Sequence, residues 1–345
     1  MESHTAPLSF AEAIHSPCTG CSAPCCTLLQ IRQFSLESLM DLDALRYYLN
    51  FERIAVSVDQ SMCATVFYNT PCSHLDQATA HCDLHASGNK PDICSHYNPY
   101  QCFYAKSLDD RQQGKVSGNS EIWLTAAQFE RFVTYFGFDT QRMIVQWPSA
   151  DHLAELASWQ TVTAPAASRK TMHAASPAKS VPIVPLNQQK PTRCDDCSAH
   201  CCTSLVFPIE RNQSLADLDF LRYALGFPGV SLCINDQEWS LLIASRCQHL
   251  HEQRCRIFGQ EQRPLLCQLY NANTCSYHQL FDTPPFPQLH VQQAEFEQLM
   301  DSFDYDQYGQ IIAALPTAAM QEYLKQRTAM RSSVAPIASA EAALT

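Results

Sequence analysis

Residues 18–26 read CTGCSAPCC and residues 194–202 read CDDCSAHCC, so C-x2-C-x3-C-C is written twice in one chain, 176 positions apart. A cysteine serves as a disulfide partner, a metal ligand, a nucleophile or a small buried apolar group, and redox compartment separates these uses. The opening segment MESHTAPLSFAEAIHSPC has neither the basic stretch nor the uninterrupted apolar run of a secretory signal. No later segment supplies the roughly 18 consecutive apolar residues of a membrane span. The expectation is a cytoplasmic chain with no membrane partner, whose 18 cysteines stay reduced and open to metal. C-x2-C has the spacing of a chelating turn, in which two thiolates reach one ion while backbone N–H groups point at the sulfurs.

The cysteines also measure an internal duplication. Laying Cys26 on Cys202 brings Leu42, Asp43, Leu45, Arg46, Tyr47, Leu49 and Phe51 onto Leu218, Asp219, Leu221, Arg222, Tyr223, Leu225 and Phe227 without a gap. One residue of adjustment puts Cys72-Ser-His-Leu on Cys247-Gln-His-Leu. Beyond it Cys82, Cys94 and Cys102 are spaced by 12 and 8, as are Cys255, Cys267 and Cys275. Eight positions are cysteine in both copies, and these are the candidate metal ligands: Cys18, Cys21, Cys25, Cys26, Cys72, Cys82, Cys94 and Cys102, then Cys194, Cys197, Cys201, Cys202, Cys247, Cys255, Cys267 and Cys275. Cys63 and Cys233 occur in one copy each and read as ordinary buried thiols. Neighbouring side chains usually diverge, so Cys25 and Cys26 are expected to serve two centres or to leave one thiol spare.

Eight thiols per half match two four-cysteine zinc sites or two Fe–S clusters. Structural zinc sites often oppose two C-x2-C hairpins, whereas here single cysteines follow one compact cluster, which suits Fe–S ligation better. Against iron, no cysteine precedes a proline and the spacing is no standard ferredoxin run. The expected cofactor is therefore an Fe–S cluster, with zinc as the alternative.

The elements that must hold these loops are read from periodicity and caps. At 345 residues the chain exceeds the roughly 100–200 of one domain. The expected division is a first cysteine-cluster domain at 1–160, an Ala/Pro/Ser-rich linker at 161–192, a second domain at 193–330 and a loose tail at 331–345. Ser214 with Asp217 opens a helix bearing Leu218, Leu221 and Leu225, and Ser35 is taken to open its counterpart. Thr125 with Gln128 opens another bearing Phe129, Phe132, Val133 and Phe136, ended by Gly137; Phe296, Leu299, Met300 and Phe303 repeat that stripe. Runs such as Ile54–Val58 and Val66–Tyr68 are strands or buried loops, which periodicity does not separate. The expected fold class is mainly α, α+β at most, with the cysteines on loops between helices.

His74 and His249 follow a cysteine by two and read as donors to a thiolate or packed residues. Arg46 and Arg222 follow Asp43 and Asp219 by three, the spacing of an exposed helical ion pair; the alternative turns the arginine toward the thiolates. Asn98 and Asn271 are candidate caps of the turn carrying Cys94 and Cys267. A net charge of −11 without a Lys/Arg cluster argues against a nucleic-acid binder. With nine glycines and neither a phosphate loop nor a G-x-S-x-G elbow, nucleotide-dependent chemistry is not indicated.

The whole ladder, C-x2-C-x3-C-C, then Cys-x-His-Leu, a lone cysteine and Lys/Arg-Pro-x2-Cys-x2-Tyr, resembles the bacterial CxxCxxCC zinc- or iron-chelating domain of the YkgJ-type cysteine-cluster proteins. It covers about 85 residues of each half, including Lys90, Pro91 and Tyr97 in one copy and Arg263, Pro264 and Tyr270 in the other. The chain departs from the family at Lys90, where arginine is usual, and at Ser95 and Gln268, where the family has an arginine after the seventh cysteine. The resemblance implies metal chelation and kinship with flagellin lysine N-methylases. Three functions follow as expectations: a redox or metal-dependent accessory, a protein-lysine methylase-like enzyme, or a zinc-stapled scaffold that holds a protein partner.

Overall fold

A computed structural model describes residues 23–85, 89–95, 122–158, 199–209, 214–269, 275–282 and 284–334. The linker at 161–192, Asn98, Asn271, Tyr97 and Tyr270 lie outside these residues, as do Cys18, Cys21, Cys102, Cys194 and Cys197.

In the first repeat β1 (Leu28–Ser35) leads to α1 (Leu39–Leu49), β2 (Ile54–Val58), β3 (Cys63–Asn69), β4 (Leu75–Asp76), β5 (His81–Cys82) and the one-turn α2 (Asp92–Ser95). Then come β6 (Ile122–Leu124), α3 (Ala126–Phe132), the hairpin β7 (Gly137–Phe138) and β8 (Ile144–Gln146), and α4 (Ala150–Ser158). The second repeat has β9 (Ser204–Ile209), α5 (Leu215–Leu225), β10 (Val230–Asn235), β11 (Trp239–Ala244), β12 (Leu250–His251), β13 (Arg254–Cys255), α6 (Leu265–Gln268) and α7 (Ser276–Phe281). It continues through β14 (Gln288–Val291), α8 (Gln293–Met300), β15 (Asp304–Tyr305) and β16 (Ile311–Ala313) to α9 (Thr317–Val334), which runs into the segment expected to be loose.

Each repeat builds one four-stranded antiparallel sheet. The orders are β1-β3-β2-β6 and β14-β10-β11-β9, the same order read from opposite edges. The fold is thus α+β with substantial sheet, which corrects the expectation of a mainly helical chain. The reason lies in the inner strands: Ala64 to Tyr68 of β3 and Trp239 to Ile243 of β11 are buried at every position. Covered on both faces, they show no in–out alternation to read.

The helix caps follow local chemistry. Ser38 and Ser214 accept the amides of Asp41 and Asp217, whose carboxylates take the serine N–H groups in return. The first cap is therefore Ser38, and Ser35 ends β1. Thr125 and Gln128 form the same reciprocal box on α3. Gly137 does not end that helix: a 3-10 turn, Val133–Tyr135, follows α3 and Gly137 starts β7.

Most buried apolar residues of both repeats form one core, beside a small separate cluster of Leu28, Phe67 and Trp123. Leu45, Phe51, Tyr68 and Phe129 belong to the same packed cluster as Leu221, Phe227, Ile243 and Phe296. An isolated β-bridge between Phe51 and Cys247 ties the repeats at the backbone. No helix among the described residues is long and apolar enough to cross a membrane.

Candidate metal centre

The adjacent cysteines sit on a strained turn that occurs twice. Ala23 and Ala199 take left-handed conformations, with φ of 51° and 58°. Such backbone costs an L-residue about 1–2 kcal/mol. Each alanine starts a 3-10 turn, Pro24–Cys26 or His200–Cys202, which Thr27 or Thr203 closes by donating backbone and hydroxyl hydrogens to the carbonyl of Pro24 or His200. Cys25 and Cys26 do not diverge on this turn; their Sγ atoms are 4.0 Å apart.

Three short elements bring further thiols. The amide of Cys72 donates to the carbonyl of Cys26 at 2.7 Å, and Cys247 to Cys202 at 2.7 Å, which docks each Cys-x-His-Leu turn on its cysteine pair. The backbone N–H of His74 faces the Cys72 sulfur, and those of His249 and Leu250 face Cys247. Pairing of Leu75 with Cys82, and of Leu250 with Cys255, then sets the lone cysteine beside the turn. Cys94 and Cys267 lie on α2 and α6, which start after Pro91 and Pro264.

Burial dominates the electrostatics. Its hydrogen bond to Cys26, then burial against Leu28, Phe67 and Trp123, push the Cys25 thiol far above its ordinary value. Burial raises Cys72 and Cys247, and pushes Cys94 and Cys267 up to about 12. Negative charge on the neighbouring thiols adds to this: Cys94 feels Cys25, Cys72 and Cys82, and Cys267 feels Cys201, Cys247 and Cys255. In the second pair the hydrogen bond between the adjacent sulfurs lowers Cys201 and raises Cys202. Lys90 and Arg263 oppose the rise, each lowering the thiol of its own Lys/Arg-Pro-x2-Cys motif. The first repeat's lysine thus supplies the positive charge that arginine supplies in the second.

These donors suit a soft cation. A sulfur separation of 4.0 Å is close to the tetrahedral edge of about 3.8 Å implied by Zn–S bonds near 2.3 Å. No disulfide forms among the described cysteines. Among the described residues, no group of three or more His, Cys, Asp or Glu side chains is gathered tightly enough to hold an ion as it stands. Cys275 is buried and its Sγ accepts the amide of His278, capping α7, which packs on the turn of Cys201 and Cys202. Cys233 is buried as expected, whereas Cys63 is only half-buried.

Several residues around the thiols act across the repeats. Asp43 and Asp219 are buried, at 4% and 5% exposure, which rules out the exposed ion pair with Arg46 and Arg222 even though those arginines lie within 3.6 and 3.7 Å. Their carboxylates accept amides from the opposite half: Leu266 N–H donates to Asp43 at 3.3 Å and Ile93 N–H to Asp219 at 3.0 Å. Tyr223 Oη donates to the carbonyl of Cys25 at 2.6 Å and Tyr47 Oη to that of Cys201 at 3.5 Å. His74 Nε2 lies 3.0 Å from Gln293 Oε1, and His249 Nε2 lies 3.2 Å from Asn50 Oδ1. The signal for these contacts was present in the repeat itself, as polar Asp and Tyr kept at matching places within an apolar helix. No family model, curated protein or solved structure matches the chain.

Proposed function

We propose that each half binds a thiolate-ligated metal centre, zinc or iron in an Fe–S cluster, and that the protein works as a cytoplasmic redox or metal-dependent accessory. The observation that carries this reading is the grouping of five described thiols in each half, drawn from a strained turn, a hairpin and a one-turn helix. The same backbone links join them in both halves: the amide of Cys72 or Cys247 docks on the carbonyl of Cys26 or Cys202, and Cys82 or Cys255 pairs with Leu75 or Leu250 across the adjoining hairpin. Burial raises Cys72, Cys94, Cys247 and Cys267, and a thiol so raised exchanges its proton for a cation, so loading releases protons. Cys25, Cys26, Cys72, Cys82 and Cys94 are the described donors of the first centre, and Cys201, Cys202, Cys247, Cys255, Cys267 and Cys275 those of the second; Cys18, Cys21, Cys102, Cys194 and Cys197 complete the eight of each half. A bound metal would supply electron transfer if iron, or a fixed structural cross-link if zinc. The chain's own residues hold the thiols: the amides of His74 and His249 stabilise thiolate at Cys72 and Cys247, and Lys90 and Arg263 offset the accumulated negative charge.

The test is anaerobic purification with elemental analysis and a visible absorbance scan, on the full chain and on Cys72→Ser and Cys247→Ser variants. A coloured protein containing iron and acid-labile sulfide supports the cluster, and a colourless one with stoichiometric zinc supports the zinc form. Each single variant is expected to lower the metal content of one centre. A folded, metal-free protein overturns the reading.

A further inference from the structure

α1 and α5 each carry an aspartate and a tyrosine one turn apart, and both pairs leave their own repeat. The amides of Ile93 and Leu266 are first-turn donors of α2 and α6, the short helices that bear Cys94 and Cys267. A single helical turn does not sustain itself in water. Pro264 gives α6 no side-chain cap of its own, and the missing acceptor comes from Asp43 of the other repeat. The same exchange in the other direction places Asp219 on Ile93. Tyr223 and Tyr47 then fix the carbonyls of Cys25 and Cys201, again across the repeats. Arg222 adds a hydrogen bond to the carbonyl of Asn89, just ahead of the Lys90-Pro91 step. Reciprocity separates this arrangement from chance contact, because residues matched by the duplication make the matching bond.

We propose that Asp43 and Asp219 are positioning residues for the opposite repeat's cysteine cluster, so that α1 sets Cys267 and α5 sets Cys94 and neither cluster is complete without the other half. For its consequence on metal this rests on the proposed thiolate centres, but the positioning itself is tested without metal.

The full-length apo chain and its Asp43→Ala, Asp219→Ala, Asp43→Asn and Asp219→Asn variants are treated with N-ethylmaleimide under native conditions. Modification rates are then mapped cysteine by cysteine by mass spectrometry. Loss of a hydrogen bond to a charged acceptor is expected to speed labelling of Cys267 in Asp43→Ala by about tenfold or more, with Cys94 unchanged. Asp219→Ala is expected to do the reverse. The asparagine variants keep an acceptor oxygen and should recover part of the protection, which a purely volumetric role would not produce. Cys233, buried in β10, is the internal control for global opening. If the alanine variants do not fold, the asparagine pair carries the same crossed comparison. Equal acceleration of Cys94 and Cys267 by either substitution, acceleration within the substituted repeat, or no change overturns the proposal. Zinc titration against a chromophoric chelator then reads the metal consequence, with Asp43→Ala expected to weaken one centre of two. A chain that binds no zinc or iron refutes the metal reading while the labelling pattern still decides the positioning.

Discussion

In the first repeat the residue that ends α1 is Asn50, and at the matching place after α5 stands Gly226. Their carbonyls do the same work: Gln248 N–H donates to Asn50 at 2.8 Å and Ser73 N–H to Gly226 at 2.8 Å. Their side chains do not. Asn50 Oδ1 takes hydrogen bonds from Gln248 Nε2 at 3.1 Å and from His249. Gly226 has nothing to offer, and His74 turns instead to Gln293 on α8. The second repeat also has His200 on its cysteine turn, held 3.0 Å from Asp282 and stacked on Phe281, where the first has Pro24. Backbone bonds and the crossed Asp and Tyr contacts are shared by both halves, while side chains at the rim differ. The common part is therefore what places the thiols, and the rim is where each half is free to vary.

The strongest way to break the idea of one shared unit is through the core. Phe129 and Phe296 occupy matching positions on α3 and α8 and are 1% and 0% exposed. Truncating either to alanine is expected to cost about 3–5 kcal/mol. Because both belong to one apolar cluster, urea unfolding should show a single transition that both variants shift by similar amounts. Two transitions, with each variant moving only one, would mean two independent domains.

Next in size is Gly226→Ala. The backbone there is ordinary, so the constraint is space: a Cβ would stand 3.1 Å from the Tyr223 carbonyl oxygen and 3.3 Å from Cys72 Sγ. Crowding of this kind is expected to cost about 1–3 kcal/mol. The variant should also alter the labelling rate of Cys72 and leave Cys247 as it was, since Asn50 already carries a Cβ at the other end. A neutral effect on both stability and Cys72 would show that the glycine makes no room for the thiol.

The paired caps provide a smaller test of equivalence. Ser38→Ala and Ser214→Ala each remove one acceptor from a complete capping box and are expected to cost about 1 kcal/mol, read from urea midpoints. A large difference between the two would place a contact at one helix start that the other lacks.

Legibility in the sequence divided along the range of the interactions. The capping boxes at Ser214 and Thr125 and the stripe of α8 are local patterns, and each stands where spacing put it. The described cysteines stand on a turn, a hairpin and a one-turn helix, but the approach of Cys25 and Cys26 to 4.0 Å was not legible, because the spacing of adjacent residues says nothing of the backbone between them. Nor were the sheets: β3 and β11 are buried on both faces and carry no period. Asp43 misled for a different reason. Its three-residue spacing to Arg46 already gave the carboxylate a local partner, and the amide of Leu266, 223 positions away, left no trace in spacing. Only the preservation of Asp and Tyr in both copies pointed beyond the helix.

The smallest predicted effect concerns the rim of the second repeat, where Asp282 joins His278 at 2.7 Å and His200 at 3.0 Å. Hydrogen bonds from His278 and then His200 hold its carboxyl below the ordinary aspartate value of 3.8. A carboxyl depressed in the folded state stabilises the fold above its unfolded pKa, and that contribution fades as pH falls through the folded value. Asp282→Asn is therefore expected to lower the urea midpoint near pH 6 and to converge on the parent chain only in acid, once the pH has fallen below the folded value, itself under 3.8. Asp282 is about one-third exposed, so the difference should be small and should shrink with added salt. A gap that stays constant from pH 6 to the acid limit would mean that the aspartate acts by shape. The side chain of His200 would then be held by its stacking on Phe281, leaving the turn itself to the Thr203, Cys247 and Tyr47 hydrogen bonds, whose counterparts Thr27, Cys72 and Tyr223 also hold the proline-stiffened turn of the first repeat.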